Sequence, residues 1–448
     1  MKALRRILAA VCAGGILLLL LLLLLLWAKP PELIRIAANY AAKCVCSNVF
    51  LANRDAAEVL AYDVQAPGHP LLRVMRVTVD RNLGIVRAGL FGFIGGGLAV
   101  ARSNVGCAVM PDGRLDTARA IPHAAVAAAA TATRDVSFAV APLQHVIADD
   151  ALAGPGMRAI VVLSKGRFVA ERYARGFDLT TPQLGWSMTK TVTAALIGLL
   201  VEDGRLALDQ TAGLAQDARS RITIANLLSM TSGLKFNESY GAVSDVTRML
   251  YLQPDMAAFV RAMPLEHPPG EVWNYSSGTA VLVARIFQDA VGADAISYVR
   301  TRLFAPLGMD SAIMETDERG TLVGSSYMFA TPRDWARFGQ LLAQDGVWEG
   351  REILPRGYVA LMAAAVTASG GDYGGGMVWR RITHTTATTA SDPAQDLPED
   401  TFWMSGHDGQ FAAIIPSRQL VVVRMGLTPE REHFRPEPLV RAVLDAAR

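Results

Sequence analysis

Ser187 and Lys190 lie three positions apart in Gly185-Trp186-Ser187-Met188-Thr189-Lys190, at the start of a long apolar run. On a helix, positions i and i+3 share a face, with Cβ atoms about 5–6 Å apart. A serine hydroxyl is a poor nucleophile until a base takes its proton. A lysine amine can be that base once burial lowers its pKa. Thr191 to Val201 is apolar on nearly every face and would supply the burial. A second Ser-x-x-Lys, Ser232 to Lys235, follows a short helical run capped at Thr223. Ser232 is therefore expected at a helix C-terminus, where the helix dipole disfavours a developing anion, whereas Ser187 is expected at an N-terminus.

Two further stretches could complete such a site. Tyr275 stands in Pro268-Pro269-Gly270-Glu271-Val272-Trp273-Asn274-Tyr275-Ser276-Ser277-Gly278, a loop stiffened by its prolines and leading into a helix that Ser276 or Ser277 can cap. A tyrosine hydroxyl near a lysine ammonium releases its proton more readily than in water and could relay it to a leaving group. Ser405-Gly406-His407-Asp408-Gly409-Gln410 has two glycines that let backbone approach a ligand. An N–H from this edge could join that of Ser187 in holding an oxyanion. His407 could handle protons or donate to a carboxylate. Neither a C-x-x-C nor an H-E-x-x-H occurs, so no metal is expected and no cofactor is needed.

The elements that must position these groups read as follows. Leu143–Leu152 is a helix. Arg158–Leu163 and Arg167–Tyr173 are a hairpin turned at Ser164-Lys165-Gly166. Residues 222–312 are mostly helical. Thr331-Pro332 opens a helix running to Gly346. Thr383–Asp400 is a loop. Thr401–Met404, Phe411–Ile415 and Leu420–Met425 are strands, and Leu439–Ala447 is a closing helix. This order predicts an α/β fold: an antiparallel sheet built from both ends of the region, with a helical subdomain inserted between.

Three segments are expected: 1–28, 29–135 and 136–448. Lys2, Arg5 and Arg6 precede Ile7–Trp27, which is uncharged and long enough to cross a bilayer. Trp27-Ala28-Lys29-Pro30-Pro31 lacks a small-x-small cleavage pattern, so an uncleaved anchor is expected, its basic end cytoplasmic and the rest exported. Residues 29–135 carry no assigned role. Within them Gly95-Gly96-Gly97 reads as a turn between two strands, and Ile121–Thr133 as a linker or frayed helix, with a boundary near Asp135. An exported domain keeps disulfides, and Cys107 is expected to pair with either Cys44 or Cys46. The net charge of +2, with no basic stripe, gives no reason to expect nucleic acid.

The three chemical stretches, in this order, resemble the serine β-lactamase and penicillin-binding-protein superfamily, and within it the class C branch. That branch includes family VIII carboxylesterases, D-alanyl-D-alanine peptidases and 6-aminohexanoate-dimer hydrolases. Leu227–Leu234, Pro306–Met309 and Trp335–Gly339 support the resemblance, which covers roughly residues 138–448. It implies a β-lactamase/transpeptidase-like fold with Ser187 as the acylated nucleophile, Lys190 as its base partner and Tyr275 in proton transfer. It implies an oxyanion hole from the N–H groups of Ser187 and Gln410, and substrate contacts from His407 and Gly409. Tyr240 stands where the 6-aminohexanoate-dimer hydrolases use a second tyrosine. The branch's Tyr-x-Asn reads Tyr275-Ser276-Ser277 here, and its Lys-Thr-Gly reads His407-Asp408-Gly409. Losing that amide and that lysine favours a small ester or amide over a β-lactam as substrate. A non-catalytic protein that binds peptidoglycan fragments, and a D-alanyl-D-alanine peptidase, are the alternatives.

Overall fold

The computed structural model describes residues 2–116, 139–382 and 397–447. The expected linker at 121–133, the boundary near Asp135 and most of the loop at 383–400 lie outside the described residues. The central sheet has five antiparallel strands. Two come early, β5 (Met157–Ser164) and β6 (Arg167–Tyr173). Three come late, β7 (Phe402–Gly406), β8 (Gln410–Ile415) and β9 (Leu420–Gly426). Their order is β7-β8-β9-β5-β6, so β9 joins the two ends of the region, pairing Val423 with Val161.

Both sheet faces are apolar because helices cover both. Val161 and Leu163 of β5, with Val421 and Val423 of β9, face the main core. Ile160, Val162, Leu420 and Val422 face the other way, onto α3 (Ala141–Ala148) and the closing helix α8 (Glu437–Ala446). The period-2 alternation of a strand thus serves two cores at once. Helix α4 (Met188–Glu202) is buried almost throughout. Helix α7 (Pro332–Ala343) packs against the sheet through Gly339, where a Cβ would meet Val421 at 2.6 Å.

The N-terminal part is built from two long helices, short helical turns over residues 56–74 and a sheet. Helix α1 (Lys2–Ala28) is exposed, with mean hydropathy 3.0 over its apolar window, and is long enough to cross a membrane. Helix α2 (Glu32–Leu51) and a four-stranded antiparallel sheet follow, the strands being β1 (Met75–Asp80), β2 (Ile85–Leu90), β3 (Ile94–Arg102) and β4 (Gly106–Val109). The triple glycine is not the expected turn. It lies inside β3, because α2 presses on that strand: a Cβ at Gly97 would sit 2.4 Å from the Ala38 backbone.

This part is docked onto the rest by buried polar bonds. Lys43 pairs with Glu315, both nearly inaccessible. The same carboxylate accepts from the Ser47 hydroxyl at 2.8 Å and the Cys107 N–H at 2.6 Å. Asn39 Nδ2 donates to the Tyr251 carbonyl at 2.7 Å. Cys46 and Cys107 form a disulfide, and Cys44 is a buried free thiol.

Candidate active site

Ser187 is the residue before α4, and Lys190 lies in its first turn. Although Ser187 occupies the N-cap position, its hydroxyl makes no capping bond. Instead Lys190 Nζ lies 2.9 Å from Ser187 Oγ. Nζ also donates to Ser277 Oγ and to the Ser325 carbonyl, each at 3.0 Å. Burial lowers the Lys190 pKa to about 8, while the nearby charge of Glu238 acts in the opposite direction.

These contacts define what the amine can do. Ser325 offers a carbonyl, an acceptor only. Ser277 Oγ donates its own proton to Glu238 Oε1 at 2.5 Å, so it too must accept from the lysine. The ammonium form donates to all three oxygens; once neutral, the amine keeps two N–H groups for these two acceptors and has its lone pair left for the Ser187 hydroxyl. Glu238 is fixed by a second bond, from the Ser277 N–H at 2.8 Å, and burial raises its pKa. Neither Glu238 nor Ser277 was singled out for chemistry in the sequence. The available signals were an acid two positions before Tyr240 and a hydroxyl at the last position of Tyr275-Ser276-Ser277. Ser276, not Ser277, caps the following helix α5 (Ser277–Val291), accepting from Thr279 N at 3.0 Å.

Tyr275 lies against the lysine, but differently from the sequence expectation. Nζ sits over the ring, 4.8 Å from its centroid. Burial raises the hydroxyl's pKa well above the ordinary value, with the Glu238 charge adding to it and the Ser187 hydroxyl opposing it. The phenol therefore stays protonated at neutral pH and is a donor, not an easily ionised acid. Trp379 at 5.4 Å and Tyr373 at 6.0 Å, centroid to centroid, brace the ring.

Trp186 precedes the nucleophile with φ +47°, a left-handed conformation that costs an ordinary residue about 1–3 kcal/mol. The chain is held there from both sides. A Cβ on Gly185 would fall 2.2 Å from the Trp335 ring, and one on Gly406 would fall 2.2 Å from the Gly185 carbonyl. The end of β7 is thus pressed against the turn that presents Ser187. His407, at that end, is half-exposed and stacks on Tyr240 at 5.3 Å, with Trp186 edge-on at 5.7 Å. The exposed Tyr240 hydroxyl reaches Glu238 at 3.3 Å.

Gly409 serves the turn itself: its φ is +79° and its carbonyl accepts from the buried Arg424 at 2.8 Å. The Gln410 side chain is turned onto Gly426, accepting from its N–H at 2.8 Å, so only the Gln410 backbone could serve an oxyanion. The second Ser-x-x-Lys makes no site. Ser232 is buried and accepts from Leu234 N, and Lys235 is exposed beside Glu266 at 3.9 Å.

A family model described as beta-lactamase matches residues 147–445. The 6-aminohexanoate-dimer hydrolase of Paenarthrobacter ureafaciens is 26% identical over 226 residues, which cover 46% of this chain and 57% of that protein. Among solved structures, a putative 6-aminohexanoate-dimer hydrolase from Bacillus anthracis superposes with a TM-score of 0.55 at 24% identity, over 71% of this chain and 86% of its own. A family VIII carboxylesterase does so with a TM-score of 0.53 at 15% identity, over 69% and 98% respectively.

Proposed function

The chain belongs to the beta-lactamase family, and from that premise we propose that it is a membrane-anchored serine hydrolase cleaving a small ester or amide through an acyl-enzyme on Ser187. The observation that carries this reading is the position of Lys190 Nζ, 2.9 Å from Ser187 Oγ and held by two further acceptors, so that on losing a proton its lone pair is free for the Ser187 hydroxyl. Lys190 takes the proton from Ser187 Oγ as that oxygen attacks the carbonyl carbon. The N–H groups of Ser187 and Gln410 hold the resulting oxyanion. Collapse breaks the bond to the leaving alcohol or amine, which receives its proton from the Tyr275 hydroxyl, itself resupplied from Lys190. Water then attacks the acyl-serine, releasing the acid and returning the proton to Ser187. His407 and Tyr240 contact the substrate, and the similarity to the 6-aminohexanoate-dimer hydrolase of Paenarthrobacter ureafaciens supports hydrolysis of a small amide or related ester.

The exported placement is supported by three features. The apolar helix is unburied, Lys2, Arg5 and Arg6 stand at one end of it, and the Cys46–Cys107 disulfide suits an oxidising compartment.

Hydrolysis of p-nitrophenyl butyrate by the full chain in detergent, beside Ser187→Ala, tests the reading. Turnover and fluorophosphonate labelling are expected in the wild type, with a loss of more than about a thousandfold in the variant. Equal turnover in both, or an unlabelled wild type, would rule it out.

A further inference from the structure

An apolar cleft of about 340 Å³ opens beside the nucleophile, within the size range of small-molecule sites. One wall is the surroundings of the site: Trp186, Tyr240 and His407. The other wall belongs to the N-terminal part, with Leu33, Ile36, Ala37 and Tyr40 on successive turns of α2, and Leu72 beyond. Leu33 to Tyr40 spans about 10 Å of helix, the reach of a medium-length hydrocarbon chain.

We propose that this cleft binds the hydrocarbon chain of the substrate's acyl group, so that the natural substrate is an amphiphilic ester or amide. The inference rests on the serine-hydrolase reading above. Direction follows from the proton machinery. The leaving group must meet the Tyr275 hydroxyl and Lys190, neither of which lines the cleft. Trp186 and His407, which do line it, flank Ser187 and the strand end leading to Gln410. A carbonyl oxygen held by those two backbones therefore has its leaving group toward Tyr275 and its acyl chain toward α2.

The cleft's far end lies near the membrane helix. Leu33 is five residues beyond Ala28, at most about 18 Å of chain. Leu23 and Leu26 of α1 pack against the core beneath α2. A chain drawn from a bilayer would thus enter at Leu33 and reach the serine at Trp186.

The test is acyl selectivity of the full chain in micelles. The ratio of kcat/KM for p-nitrophenyl octanoate to that for the acetate is expected to exceed about tenfold, since each buried methylene favours binding. Ala37→Phe, which fills the cleft, and Leu33→Asp, which makes its mouth polar, should each lower that ratio about tenfold. Both esters are read in one preparation, so a loss of folded enzyme leaves the ratio unchanged. A wild-type ratio near one, or a ratio unmoved by both variants, would overturn the inference while leaving the hydrolase reading intact. No turnover of either ester together with no fluorophosphonate labelling would overturn both. Presenting the octanoyl ester in vesicles, or free below its micelle-forming concentration, separates a bilayer source from an aqueous one.

Discussion

Lys190 and Glu238 are joined through one hydroxyl, that of Ser277, which accepts from Nζ at 3.0 Å and donates to the carboxylate at 2.5 Å. Burial and Glu238 act on the lysine in opposite directions: burial lowers its pKa, and the carboxylate raises it. A base must be unprotonated to act, so kcat/KM should rise with pH and level off above about 8. Glu238→Gln removes the charge that favours the ammonium form, which should move this limb to lower pH. A pH profile of both proteins checks the direction. An unmoved or upward-moved limb would show that Glu238 does not act on the lysine.

Tyr275→Phe keeps the ring over Nζ and removes only the donor. A fall in kcat of about a hundredfold is expected, in line with the loss of one general acid. Ester substrates with better leaving groups should suffer less, because their oxygen needs no proton. Steady-state kinetics across a leaving-group series reads this, and a uniform loss would assign the hydroxyl a structural part instead.

Lys43→Met leaves the Glu315 carboxylate buried without its cation, which should cost about 3–5 kcal/mol of stability. Adding Glu315→Leu should recover much of this, but not all. The Ser47 hydroxyl and the Cys107 N–H would then have lost their acceptor. Denaturant titration of the single and double variants measures both.

The Cys46–Cys107 bridge closes a sequence separation of 61 residues. Reducing it, or replacing both cysteines by alanine, should cost about 2–4 kcal/mol. The effect should appear as a lower Tm in reductant for the wild type and no further change for the double variant.

Local periodicity determined what the sequence alone could determine. Ser187 and Lys190 meet because three residues of helix bring two side chains onto one face, and no distant part of the chain is needed for that. The hairpin at Ser164–Gly166, the three late strands and the Thr331 cap were legible for the same reason, since each depends on alternation, turn chemistry or a capping residue nearby. The apolar helix at the N-terminus was legible from composition. Tertiary structure decided the rest. Glu238 reaches Ser277 across 39 positions, and Asn39 reaches Tyr251 across 212, distances at which spacing carries no signal. Cys46, and not Cys44, is bridged because α2 turns the two side chains in different directions and only one meets β4. The triple glycine reads as a turn in isolation, and only the approach of α2 makes it a strand without side chains. The wall that α2 contributes beside Ser187 exists only because buried polar bonds and apolar packing carry a distant helix to the site.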